Sequence, residues 1–163
     1  MEDLKLKPAE KSDITAIAKL ASDIWQQHYV PIIGQEQVAY MLKNIYNSDS
    51  LQKQIEDGHH FSLVMVGGEA EGFVSVSNTE TDTYFLHKFY INQNQQGMGV
   101  GRRVFEILLE TYPSMQQIVL TVNRQNFKSI NFYFKLGFKI IEVKDFDIGN
   151  GYFMNDFIMA WQR

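Results

Sequence analysis

The chain opens with a short alternation of apolar and polar residues at Leu4-Lys5-Leu6-Lys7, which predicts a strand stopping at Pro8. Ile14, Ile17, Ala18, Ala21, Ile24 and Trp25 then recur every three or four residues, one face of a helix, with Ser12 or Asp13 placed to cap it. Pro31 to Gly34 is expected to break that helix. Val38, Met41, Leu42 and Ile45 mark a second helix, and a third lies around Leu51 to Ile55. Phe61 to Val66, the turn pair Gly67-Gly68, and Gly72 to Val76 form a hairpin signature. Tyr84 to Ile91 predicts another strand, Val100 to Thr111 a helix ended by Pro113, and Gln117 to Val122 a buried strand. Phe127 to Leu136 predicts a helix closed by Gly137, followed by strands over Phe138 to Val143 and Tyr152 to Trp161.

Tyr84 to Val122 is therefore a strand–helix–strand unit, which implies a right-handed crossover and locally parallel strands, while the remaining strands read as antiparallel. The fold class expected is α/β with a mixed sheet flanked by helices. No repeat, low-complexity tract or linker interrupts the pattern, so residues 1–163 are read as one domain.

Composition narrows the function. With 163 residues and 45% hydrophobic content the chain can build one proper core. No segment approaches the roughly 20 consecutive apolar residues of a membrane span. Net charge is −4, which disfavours a general nucleic-acid surface. Zero cysteines exclude disulfides and thiol catalysis. The stretch Met1-Glu2-Asp3-Leu4-Lys5 lacks the basic start and apolar run of a secretory leader, so a cytoplasmic location is expected. No metal site is expected either: cysteine is missing, and adjacent His59 and His60 would point apart on regular structure.

The most informative stretch is Gln96-Gly97-Met98-Gly99-Val100-Gly101-Arg102, between a predicted strand and a predicted helix. Glycines let backbone amides approach a ligand, and a helix start offers unpaired N–H groups to an anion, so a phosphate-bearing guest is expected. The Rossmann spacing G-x-G-x-x-G fails because the third glycine comes one residue early, and no acidic residue closes the next strand about twenty residues on. A P-loop fails because no Lys-Ser or Lys-Thr follows Gly101. A tight turn that merely allows close helix packing is the remaining alternative.

Together with its flanks, Gln96-x-x-Gly99-x-Gly101 resembles the acyl-CoA signature of the GNAT acetyltransferase superfamily, [Gln/Arg]-x-x-Gly-x-[Gly/Ala] opening a helix after the fourth strand. Downstream, Val122-Asn123-x-x-Asn126-x-x-Ser129-x-x-Phe132-Tyr133-x-x-Leu136-Gly137-Phe138 is similar to that family's second block, an Asn beginning a helix that ends in Leu-Gly-Phe. The element order from Leu4 to Trp161 is similar to the whole GNAT fold, in which the fourth and fifth strands splay apart.

The resemblance implies acetyl-CoA as co-substrate. Gln96, Gly97, Met98, Gly99, Val100, Gly101 and Arg102 would hold its pyrophosphate, with Arg102 directly after the loop favoured over Arg103. The backbone of Phe89, Tyr90 and Ile91 would pair with the pantetheine amides, and Asn126, Ser129 and Phe132 would complete the cofactor-binding set. Asn126 is equally suited to cap its helix, and Phe132 to pack in the core. Tyr133 matches the tyrosine that protonates the departing thiolate in many GNAT enzymes; an amphipathic rim aromatic is the plain alternative. His87 stands on the strand before the loop, where the family often places a Glu that takes the amine proton, though lone strand histidines are commonly structural. His28, His59 and His60 receive no role.

The acceptor would approach over the first two helices and the hairpin turn. Trp25, Tyr29, Tyr40 and Tyr46, with Asp23 and Glu36, supply a surface suited to a cationic amine or, more plainly, an amphipathic helix pair covering the sheet. Phe153-Met154-x-Asp156-x-Ile158-Met159 is similar to a bacterial branch that acetylates polyamines and related small amines. The activity implied is transfer of an acetyl group from acetyl-CoA to a primary amine by direct attack in a ternary complex, with no nucleophilic cysteine to form an acyl-enzyme. An acyl-CoA sensor without turnover, or acetylation of a protein N-terminus or lysine, are the competing readings. A homodimer is expected through the strand ending at Trp161.

Overall fold

A computed structural model describes residues 3–163; Met1 and Glu2, the first two residues of the stretch read for a leader, lie outside the described residues. Among the described residues, strands β1 (Leu4–Pro8), β2 (His60–Val66), β3 (Glu69–Asn78), β4 (Thr83–Ile91), β5 (Gln117–Asn123), β6 (Lys139–Gly149) and β7 (Tyr152–Gln162) form a mixed sheet in the order β1-β2-β3-β4-β5-β7-β6. The helices are α1 (Ile14–His28), α2 (Val30–Ile33), α3 (Gln35–Ile45), α4 (Ser48–Glu56), α5 (Val100–Thr111) and α6 (Phe127–Leu136). No helix among the described residues is long and apolar enough to cross a membrane. The chain forms two compact units, one running to Ser77 and resuming over Lys88–Pro113, the other made of Asn78–His87 and Ser114–Arg163.

The first unit holds β1, β2, β3, the end of β4 and helices α1 to α5. The predicted hairpin forms, with Phe61 opposite Ser75 and Leu63 opposite Phe73, and Gly67 and Gly68 turn it at positive φ. Ile17, Ala21, Val38, Leu51, Phe73 and Val104 are fully buried and come from the positions whose periodicity marked them apolar. At Gly72 a glycine is required, because a Cβ there would overlap the carbonyl oxygen of Tyr90. The entry to α1 differs from expectation. A 3₁₀ turn over Lys11–Asp13 precedes the helix; Asp13 takes the N-cap position of α1, but its side chain makes no capping hydrogen bond there, and its carboxylate instead accepts the Glu10 N–H at 2.8 Å. Pro31 does not sit in a break but inside the single turn of α2, where its missing N–H costs nothing; Gly34, at φ 86°, makes the stop.

The second unit holds the start of β4, β5, α6 and the β6–β7 hairpin. β4 and β5 are parallel, as the crossover requires, but their ladder covers only Thr83–Phe85 against Gln117–Val119, although β4 continues to Ile91 and β5 to Asn123. β5 pairs antiparallel with β7 from Gln117↔Gln162 to Asn123↔Asp156. Ile118, Leu120, Phe138 and Met159 form the centre of this unit's core. Gly137 closes α6 in the left-handed conformation at φ 102°. β6 runs to Gly149, six residues beyond the predicted Val143, because pairing with β7 carries the polar run after Val143 into strand conformation. That pairing also corrects the expected dimer edge: β7, which carries Trp161, lies between β5 and β6, and β6 is the outermost strand.

Candidate active site

The loop after β4 is shaped by its own backbone chemistry. A 3₁₀ turn over Gln93–Gln95 leads into Gln96, whose side-chain amide donates to the Ile91 carbonyl at 3.1 Å and closes the loop back on β4. Gly97 and Gly99 take positive φ, 81° and 77°, conformations that cost a side-chain-bearing residue 1–2 kcal/mol or so. Gly99 is the N-cap of α5, so the strained turn delivers the chain directly into a 12-residue helix. Gly101 is different: it lies within α5 and has no positive φ, so the third glycine serves no turn.

Gly97, Met98 and Gly99 are exposed, whereas Val100 is buried and anchors the helix start. The first-turn N–H groups of α5 have no carbonyl behind them, and no acidic side chain occupies that turn. The guanidinium of Arg103 is taken up by Glu106 at 3.2 Å and Glu110 at 3.1 Å, and these two carboxylates, Glu110 foremost, hold its pKa above the ordinary value. Arg102 is exposed one residue earlier.

Along β4, Tyr84, Leu86 and Lys88 are buried while Phe85, His87 and Phe89 are half-buried, the period-two alternation of a strand. The ring of His87 lies 4.7 Å from that of Phe85. In the second unit Asn126, 1% exposed, accepts the Ser129 N–H at 3.3 Å through Oδ1 and caps α6, so the capping role is real. Tyr133, 8% exposed, packs its ring 5.5 Å from Phe132 and 5.4 Å from Phe138. The sequence-predicted residues thus gather as two sets: Gln96 to Arg102 with Phe89 to Ile91 in the first unit, and Asn126, Ser129, Phe132 and Tyr133 along α6 in the second.

The aromatic residues expected near the acceptor form a cluster, with one substitution. Trp25 stacks on Tyr29 at 4.3 Å and meets Tyr46 at 5.5 Å and Tyr90 at 6.0 Å, and Tyr90 lies 5.5 Å from Phe73. Burial drives the Tyr46 phenol's pKa well above its ordinary value. Tyr40 stands half-buried on α3, Glu36 is exposed, and Asp23 pairs with Lys19 at 2.9 Å on the surface of α1. Trp25 and Tyr46 are buried while Tyr29 and Tyr90 are half-buried, so the cluster is a core with an accessible rim.

The sequence did not foretell the burial of two ionisable groups, Lys88 and the Asp156 of the C-terminal pattern. Lys88 is 7% exposed, with its ammonium 2.6 Å from Gln54 Oε1 and over the rings of Phe61 and Tyr46 at 5.3 and 5.6 Å. Burial pushes its pKa down to about 8, and its charge joins burial in pushing that of His59 down. The signal was a lysine on the otherwise buried phase of β4. Asp156 is 2% exposed, opposite Asn123 in the β5–β7 ladder, and its Oδ1 has no hydrogen-bond partner among the described residues. Burial raises its carboxyl pKa to about 6 against the opposing charge of Arg124.

The family model of the acetyltransferase (GNAT) domain matches residues 29–150, a span that contains the glycine loop and α6. The chain belongs to the GNAT acetyltransferase family. Solved GNAT structures share its fold. The PaiA N-acetyltransferase of Thermoplasma acidophilum, in complex with coenzyme A, superposes with a TM-score of 0.78 at 19% identity over 99% of both chains. A GCN5-related N-acetyltransferase from Rhodopseudomonas palustris reaches 0.80 at 15% identity, covering 98% of this GNAT chain and 95% of that one. The spermidine N-acetyltransferase of Vibrio cholerae, in complex with CoA and spermine, gives 0.71 at 20% identity over 99% of this chain and 96% of that one. No curated protein matches the chain by sequence.

Proposed function

We propose that this GNAT chain transfers an acetyl group from acetyl-CoA to a primary amine of a small molecule such as a polyamine, by direct attack in a ternary complex. The observation that carries the donor half is the glycine loop. Two left-handed glycines, an exposed backbone and the uncompensated N-terminus of α5 form a cradle suited to a pyrophosphate. Arg102 adds charge at that end, since Arg103 is committed to Glu106 and Glu110. The pantetheine arm would lie along the strand backbone of Phe89, Tyr90 and Ile91, because an extended amide chain can add itself to strand backbone.

In the chemistry proposed, the amine nitrogen attacks the thioester carbonyl carbon, the carbon–sulfur bond breaks, and the sulfur leaves with the bonding pair. Tyr133 gives its phenolic proton to that sulfur, and a strand amide stabilises the carbonyl oxygen. His87 takes the proton the amine must lose. Asn126 caps α6 and so fixes the helix that carries Tyr133, while Ser129 and Phe132 line the cofactor side. The acceptor half rests on the cluster of Trp25, Tyr29, Tyr46 and Tyr90, whose half-buried rim offers ring faces to an ammonium. The spermine-bound Vibrio cholerae relative supports a polyamine as the class to try first. The family match crosses both compact units, which supports reading residues 1–163 as one domain.

A thiol-release assay with acetyl-CoA and a panel of polyamines, amino acids, aminoglycosides and peptide N-termini tests this reading. Free CoA with polyamines supports it. Tight acetyl-CoA binding without release across the panel would leave a sensor, and mass shifts confined to peptides would leave a protein acetyltransferase.

A further inference from the structure

Exposed large apolar side chains are unevenly distributed. Of the seven among the described residues, Met98 belongs to the glycine loop and the other six, Phe127, Phe134, Ile140, Ile141, Val143 and Phe153, all belong to the second unit. Four of those six lie on the β6–β7 hairpin, and Ile141 and Val143 are each 60% exposed on its outermost strand. Concentration of this kind on one edge marks a contact surface.

The charges on the same strand say what fits it. β6 reads Lys139-Ile140-Ile141-Glu142-Val143-Lys144-Asp145-Phe146-Asp147, with charges of opposite sign set symmetrically about Val143. We propose that β6 is the contact strand of a two-fold dimer, pairing antiparallel with β6 of a second copy so that Val143 lies opposite itself. In that register Glu142 faces Lys144 of the other copy, Lys139 faces Asp147, and Ile140 faces Phe146, each twice by symmetry. Ile141 faces Asp145, whose carboxylate Arg124 already holds at 2.8 Å. Centring the two-fold on Glu142 or Lys144 sets that residue's charge against itself, and centring it on Ile141 leaves Glu142 and Lys139 facing apolar residues, so the Val143 centre is the register that pairs Glu142 and Lys144 with opposite charges.

The side chains needed are available. Lys139 and Glu142 make no ion pair or hydrogen bond among the described residues, and Lys144 Nζ lies over its own strand's Phe146 ring at 5.1 Å. The bulge that leaves Ile141 out of the β6–β7 ladder falls two residues from the proposed centre, so Glu142, Val143 and Lys144 can pair as the strand stands, while the outer pairs at Ile140 and Lys139 require the bulge to straighten.

Two experiments test the dimer without relying on activity. The first uses analytical ultracentrifugation of the wild type, E142K, K144E and the double swap E142K/K144E, with circular dichroism to verify folding. The wild type is expected to dimerise, each single variant to weaken dimerisation by tenfold or about that, since each sets two like-charge contacts across the axis, and the double swap to recover it. A monomeric wild type, or a double swap as weak as the singles, overturns the proposal. The second exploits the absence of cysteine from the chain. Residues opposite one another in an antiparallel pair have Cα atoms about 4.5–5.5 Å apart, within disulfide range. Oxidised V143C should therefore run as a covalent dimer, while K139C, eight residues from its own copy along the pair, should not. Equal crosslinking of both variants, or crosslinking of K139C alone, overturns the register.

Discussion

Lys88 Nζ donates to Gln54 Oε1 at 2.6 Å, and the Gln54 amide donates in turn to the Ile45 carbonyl at 2.9 Å, so one buried lysine ties β4 to α4 and to the end of α3. Its partner is neutral, and the surrounding rings of Tyr46 and Phe61 repay only part of the cost of taking an ammonium out of water.

The pH dependence of that cost has a definite sign. Folding lowers the Lys88 pKa from 10.5 to about 8, so the native state loses the proton first. Wild-type stability should therefore rise relative to Lys88→Met between about pH 8 and pH 10.5, by roughly 3 kcal/mol at about 1.4 kcal/mol per unit. Urea unfolding of both proteins across that range checks it; a constant difference between them would sink the assignment.

Asp156 should give the opposite slope at acid pH. Its folded pKa is raised from 3.8 to about 6, so its contribution is fully present below about pH 4 and is lost as pH rises through 6. Asp156→Asn keeps the shape and removes the titration. The variant should gain on the wild type between pH 4 and pH 6 in thermal melts, and parallel curves would count against a buried neutral acid.

Gly72→Ala should destabilise the first unit by roughly 1–3 kcal/mol, because the added Cβ meets the Tyr90 backbone rather than a side chain that can swing away. If the Tyr90 and Ile91 backbone lines the pantetheine arm, the same variant should also raise KM for acetyl-CoA. Wild-type chemical stability in Gly72→Ala would show that β3 and β4 can part at no cost.

Tyr133→Phe should lower kcat by about 10²–10⁴ with little change in KM for acetyl-CoA, since the ring keeps its place against Phe132 and Phe138 and only the proton is lost. His87→Ala should remove one limb of the pH–rate profile. Unchanged turnover in the first variant, or an unchanged profile in the second, removes that residue from the mechanism.

What the sequence determined by itself is what short-range physics controls. The period of apolar residues marked the strands and the longer helices, though not the single turn of α2; Phe127 to Leu136, with Asn126 before it and Gly137 after, appears with those limits because capping and the left-handed stop are set within a few residues. The glycine loop was legible for the same reason: Gly97 and Gly99 are needed by their own φ, and the helix start follows at once. Tertiary structure decided what depends on distant partners. Strand order, which set β6 rather than β7 at the edge, follows from pairing β5 with β7 across more than a helix of sequence. Lys88 became a buried cation when α4 came to lie beside it, and Asp156 a buried acid when the β5–β7 pairing enclosed it, because desolvation is a property of the packed surroundings and not of a residue's neighbours in the chain.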